Sequence, residues 1–340
     1  MPPGAPPRTS RRIRGHPGLL ALLWISCALP ACASAPAITL PAAVDQPLAL
    51  ATPTGDIHGS LDLPAAAGPV PVALLIAGSG PTDRNGNIAG MPGGNYSHRM
   101  LARALADRGV ASVRYDKRGI GESAAAAPSE AELRFETYAE DAAAWIRQLS
   151  ADPRFSTLTV VGHSEGSLIG MLAARQAEAD AFISIAGIAR RASAVLRDQL
   201  RPALPPALWQ ESERILEHLE RGEVTDSVPP ALAALYRPSV QPYVISWLQY
   251  LPTDEIARLS IPTLVIQGTT DVQVTVDEAE ALALARPGAE LAIVEGMNHV
   301  FKLVSGDVSA QQPSYFDPDL PIVEELVERI AAFILGITPR

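Results

Sequence analysis

The chain has 340 residues, 47% of them hydrophobic, enough for one large α/β domain carrying an insertion, and its composition excludes a disordered chain. Its formal net charge is −10, and an acidic body of that kind repels phosphate backbones, which argues against nucleic acid as a partner.

Residues 1–33 read as a targeting segment. Arg8, Arg11, Arg12 and Arg14 precede an apolar run from Leu19 to Leu29, and small residues follow through Ala35. The run is shorter than the roughly 20 apolar residues that span a bilayer, so the expectation is export to the periplasm or the exterior. Both cysteines of the chain, Cys27 and Cys32, lie here, so the mature domain is expected to hold no disulfide and no thiolate metal site. Leu29-Pro30-Ala31-Cys32 looks like a lipoprotein processing site, which would make Cys32 a lipid anchor and give the chain a membrane contact. Ordinary cleavage after Ala33 or Ala35 is the other reading, and both stay open. Residues 34–47, rich in Ala and Pro, are expected to form a tether, with the folded domain over 48–340.

From Leu48 to Leu63 apolar and polar residues alternate around Thr54-Gly55-Asp56, which predicts a hairpin. Val70 to Ile76 is continuously apolar, as buried parallel strands are. A helix is expected over Tyr96–Arg108, then a strand over Val110–Tyr115, a helix over Thr137–Leu149 and a strand over Leu158–Val161. The alternation goes on with helix Glu165–Gln176, strand Ala181–Ala186, strand Thr263–Gln267, helix Val276–Ala285, strand Glu290–Val294 and helix Pro321–Leu335. Such alternation predicts a mainly parallel sheet covered on both faces, with the hairpin as an antiparallel edge. Ligand chemistry then belongs at the carboxyl ends of the strands. Between about Ala189 and Ser260 the rhythm breaks into helical pattern cut by prolines, which predicts an inserted helical cap. There Leu208, Ile215, Leu216 and Leu219 form one stripe, while Glu213, Glu217 and Glu220 read as a solvated face.

Val160-Val161-Gly162-His163-Ser164-Glu165-Gly166 carries the sharpest chemical signal. A serine on a tight turn between an apolar strand and a helix presents its hydroxyl above the sheet, and the flanking glycines leave room for the turn. The helix start then offers free N–H groups to a developing oxyanion. A serine needs a base, and the base a third group to orient it. In this architecture the acid and the histidine follow the serine in that order. Asp271 lies just past one strand and His299 just past the next, so Ser164, Asp271 and His299 form the candidate triad. Asp277, the nearest rival acid, sits where a helix-capping residue would. His163 is expected to have a structural role. The oxyanion donors are expected to be the backbone N–H groups of Glu165 and of Ser79, the latter within Ala77-Gly78-Ser79-Gly80-Pro81-Thr82-Asp83-Arg84-Asn85-Gly86. No residue cluster implies a cofactor or a metal.

These segments, together with Arg114-Tyr115-Asp116-Lys117-Arg118-Gly119-Ile120-Gly121-Glu122-Ser123, resemble the bacterial α/β-hydrolases of the esterase and serine-aminopeptidase-like group. The resemblance implies the α/β-hydrolase fold, with a sheet of about eight strands. It also implies serine hydrolysis of a small-molecule ester through an acyl-enzyme. An aminopeptidase or other amidase, and a catalytically silent binding lipoprotein, are the alternatives. Arg118 is expected in a local ion-pair network, and Leu232, Tyr236, Trp247 and Tyr250 around the acyl site. Glu165 bears on the choice between ester and peptide, since a carboxylate aimed into the pocket would bind a substrate α-ammonium.

Overall fold

Two short strands, β1 (Gln46–Thr52) and β2 (Gly55–Asp62), run antiparallel across the Pro53-Thr54 turn and form the expected edge hairpin. The computed structural model describes residues 45–338 apart from 90, 92 and 128. The targeting segment with Cys27 and Cys32, and nearly all of the expected tether, lie outside the described residues.

After the hairpin come β3 (Val70–Ile76), α1 (Ser97–Ala106), β4 (Ala111–Tyr115), α2 (Phe135–Ser150), β5 (Phe155–His163), α3 (Glu165–Ala177) and β6 (Ala181–Ile185). The last third holds β7 (Thr263–Gly268), α9 (Val276–Ala285), β8 (Glu290–Val294), the short α10 (Val308–Gln311) and the closing α11 (Glu324–Leu335). Between them stand α4 (Ala192–Leu200), α5 (Pro206–Glu220), α6 (Ala233–Tyr236), α7 (Gln241–Leu248) and α8 (Pro252–Ala257).

The eight strands form one sheet in the order β1-β2-β4-β3-β5-β6-β7-β8, parallel from β4 to β8. From β3 the chain turns outward to β4, whereas from β5 it turns the other way to β6. The crevice beyond the ends of β3 and β5 is therefore the switch point, where ligands bind in open sheets of this kind. Buried aliphatic side chains on the two faces explain why these strands read as continuous apolar runs. Leu74, Val160 and Phe182 face α2 and α3, while Ala73, Val161 and Ile183 face α1 and α11.

The segment expected as a cap is helical and has a core of its own, in which Ile215, Leu216 and Leu219 of α5 meet Val195, Leu232, Tyr236 and Leu248. Two expectations for it need correction. Glu213 and Glu220 are held by Arg197 of α4, at 2.7 Å each, so these two form an inter-helix clamp, while Glu217 is exposed as a solvated face would be. Leu232 and Tyr236 are spent in the cap core, with the Tyr236 hydroxyl 3.1 Å from Ser212 Oγ, and Trp247 stacks on Phe135 at 6.1 Å. Tyr250 donates to Glu136 Oε1 at 2.7 Å, so these aromatics join the cap to α2 instead of forming an open acyl pocket.

Candidate active site

Ser164 links β5 to α3 at φ 55° and ψ −121°, a backbone region that L-residues avoid and that strained catalytic turns occupy. Its N–H donates to Ile185 O at 2.9 Å and its carbonyl accepts from Ser167 N at 2.9 Å, so bonds on both sides hold the strained turn. A Cβ on Gly166 would drive into the Ile76 carbonyl, which is why that place in the elbow takes glycine. Gly78, just past β3, comes so close that a Cβ built on it would stand 3.2 Å from Ser164 Cβ. The predicted oxyanion loop and the candidate nucleophile thus share the switch-point crevice. The Ser79 N–H has no partner among the described residues, and Glu165 opens α3, where a helix leaves its N–H groups free.

Asp271 and His299 meet as expected. His299 Nδ1 and Asp271 Oδ2 are 2.8 Å apart, with both side chains buried. The carboxylate accepts three further bonds, from Gln273 N at 2.8 Å, Val274 N at 3.0 Å and Gln267 Nε2 at 3.0 Å. Backbone and side-chain donors thus fix its plane before His299 is placed. Close approach of the two loops depends on Gly268, the last residue of β7, since any Cβ there would strike the Met297 carbonyl. Asn298 shapes the histidine turn by accepting from Lys302 N at 2.9 Å and donating to Ser314 Oγ at 2.8 Å. No direct Ser164–His299 hydrogen bond forms; such bonds often tighten only on substrate binding. Asp277 is exposed in the first turn of α9, but the N-cap there is Thr275 and no side chain caps the helix, so the expected capping role is not met.

His163, the serine's neighbour, works through His299. Its Nε2 lies 2.9 Å from the His299 carbonyl, an obligate acceptor, so Nε2 carries the proton. Nδ1 is then the acceptor for His98 Nε2 at 3.1 Å. Both rings are neutral donors in series and pin the backbone of the candidate base. Burial is the main reason the His98 pKa falls from 6.5 to about 3, aided by Arg114, Lys117 and His299, and burial likewise holds His163 well below its ordinary value. The sign of the consequence follows directly. Folded His98 stays uncharged down to pH about 3, while the unfolded chain takes up its proton below about 6.5, so stability is full above 6.5 and drains away as pH falls toward 3. In thermal melts between pH 7 and 4, His98→Gln should flatten the acid-side fall in stability, by up to about 1.4 kcal/mol per pH unit. An unchanged slope would show that His98 titrates in the folded protein.

A second buried group flanks the serine, and sequence reasoning did not find it. Lys117 Nζ donates to Glu165 Oε1 at 2.9 Å and to Gly78 O at 2.6 Å, and it lies 5.2 Å from the Tyr138 ring centroid. The buried Tyr243 hydroxyl of α7 has no hydrogen-bond partner among the described residues, and the loss of solvent there, aided by the nearby Glu165 charge, pushes the phenol well above its usual range. Spacing gave no clue, because Lys117 and Glu165 are 48 positions apart. Arg118 does join an ion-pair network, gripping Asp141 through Nε at 2.9 Å and Nη2 at 2.6 Å. No group of three or more His, Cys, Asp or Glu among the described residues could hold a metal ion.

A serine on the strand-to-helix turn above the switch point of such a sheet, with acid and histidine beyond the next strand ends, defines the α/β-hydrolases. The chain has the α/β-hydrolase fold, and it is similar to that family's esterase and serine-aminopeptidase-like group. The family model described as serine aminopeptidase, S33 (Hydrolase_4) matches residues 90–226. Esterase EstD of Thermotoga maritima is 29% identical over 279 residues, covering 79% of this chain and 64% of its own length. Non-heme chloroperoxidase CPO-A1 of Kitasatospora aureofaciens is 24% identical over 256 residues, 65% of this chain and 86% of the relative. Among solved structures, Est1E from Butyrivibrio proteoclasticus with ferulic acid bound superposes with a TM-score of 0.57 at 16% identity, over 85% of this chain and 98% of that one. A thermophilic esterase from Thermogutta terrifontis gives 0.52 at 19% identity, over 86% and 99%. At such identities the superpositions establish the fold alone.

Proposed function

We propose that the chain is a serine esterase. Ser164 attacks the ester carbonyl while His299 takes its proton, and the alcohol leaves with that proton from the imidazolium. Water, activated by His299 in turn, releases the acid from the acyl-enzyme. Asp271 stabilises the imidazolium, and the N–H groups of Ser79 and Glu165 receive the oxyanion. The observation that carries this reading is the buried 2.8 Å bond between His299 and Asp271, in loops that face the Ser164 elbow. The likeness to Esterase EstD supports the same class of substrate.

Preference for esters over aminoacyl amides is supported by the fate of Glu165. An aminopeptidase needs a carboxylate free to hold the substrate's α-ammonium. Here the carboxylate beside the nucleophile is already neutralised by Lys117, and both side chains are buried. An amine entering that crevice would lose its hydration without gaining a charged partner. The expected result is labelling of Ser164 by a fluorophosphonate, clear hydrolysis of p-nitrophenyl acetate to hexanoate, and little release from aminoacyl anilides. Efficient anilide cleavage that collapses in Glu165→Gln, with ester cleavage spared, would decide for the peptidase.

A further inference from the structure

Buried ion pairs are poor stabilisers, since the cost of desolvation offsets most of the attraction. A lysine buried merely to satisfy Glu165 would be no better than two apolar side chains. Lys117, however, has a second acceptor. Its Nζ, on a side chain only 2% exposed, donates to Gly78 O at 2.6 Å as well as to Glu165 Oε1 at 2.9 Å. The Gly78 carbonyl and the Ser79 N–H are two ends of one peptide group, and in a planar trans amide they point in opposite directions. Fixing the carbonyl therefore fixes where the N–H aims. The Gly78 end of that group stands beside Ser164, where a Cβ on Gly78 would be 3.2 Å from the serine Cβ. The same ammonium holds the side chain of Glu165, whose own N–H opens α3 directly after the nucleophile.

We propose that Lys117 is a positioning residue that assembles the oxyanion hole. One buried ammonium orients the Gly78–Ser79 peptide and secures the residue that carries the other donor. The assignment rests on the serine-hydrolase reading above. The cation also polarises the amide it binds, so Ser79 N–H becomes a stronger donor to an oxyanion than an unbound peptide would be. Lys117 touches neither substrate nor reacting atoms. Its loss should therefore appear in kcat, where the oxyanion develops, and leave KM nearly unchanged.

The experiment compares the full-length wild type, Lys117→Met and the double variant Lys117→Met/Glu165→Met. Each is measured for kcat and KM on p-nitrophenyl butyrate and for the rate of inactivation by a fluorophosphonate. Lys117→Met should lower kcat about 10- to 100-fold with KM within about threefold, and inactivation should slow in parallel. The double variant removes the stranded carboxylate and should regain thermal stability, yet its kcat should stay within a few-fold of the single variant. If Lys117→Met fails to fold, the double variant decides alone. Turnover in the double variant close to wild type would reduce Lys117 to a counter-ion of Glu165 and overturn the proposal. So would a loss confined to KM, or an inactivation rate unaltered by the loss of Lys117. A wild-type chain that neither turns over the ester nor takes the probe would instead overturn the hydrolase reading, and this assignment with it.

Discussion

Ser164→Ala is expected to reduce ester turnover by roughly 10⁴-fold or more while leaving the fold intact. The expectation has a structural reason beyond removal of the hydroxyl. Alanine keeps a Cβ at φ 55° and ψ −121°, so the elbow stays as strained as before and nothing relaxes around it. Ser164→Gly should be equally inactive but more stable, because glycine takes that backbone region without a steric penalty. A higher melting temperature in the glycine variant than in the alanine variant would be direct evidence that the turn stores strain. Adding His299→Ala to Ser164→Ala should cost little more, since nucleophile and base act as a unit. Retention of more than about a tenth of the wild-type rate in Ser164→Ala would remove the serine from the mechanism.

What could be read in advance was whatever repeats or terminates along the chain. β3, β5 and β7 are buried on both faces, so their apolar runs stand out, and Ser79, Ser164 and Asp271 follow their ends by one to three residues. Glycines next to a serine marked the elbow because close approach allows no side chain there. What could not be read was side-chain convergence between strands distant in sequence. Lys117 follows β4 and Glu165 follows β5, and they meet across β3, which lies between these strands in the sheet and carries Gly78 to Lys117. His98 reaches His163 from α1, a relation no spacing encodes. The aromatic residues of the cap failed for the opposite reason. Apolar residues such as Tyr236 and Trp247 look the same in sequence whether they line a cavity or fill a core. Here the cap is small enough to need them for its own packing and for its contact with Phe135.

Asp271→Asn is expected to lower kcat by about 10⁴ through a tautomer rather than through lost structure. Oδ1 of Asp271 accepts from two backbone donors, Gln273 N at 2.8 Å and Val274 N at 3.0 Å, which only an oxygen can satisfy. An asparagine must therefore put its amide nitrogen where Oδ2 now stands, facing His299 Nδ1 and Gln267 Nε2. His299 then has to accept at Nδ1 and carry its proton on Nε2, so the atom that should receive the serine proton is already occupied. The Gln267 amide, also a donor, meets another donor and must turn or lose its bond, which adds a stability loss of about 1–3 kcal/mol. Esterase kinetics should thus show a collapse of kcat together with a measurable fall in melting temperature. Asp277→Asn, exposed at the start of α9, should leave both close to wild type. The reverse pattern, an active Asp271→Asn and an inactive Asp277→Asn, would move the acid to Asp277 and leave the buried 2.8 Å bond to His299 a structural one.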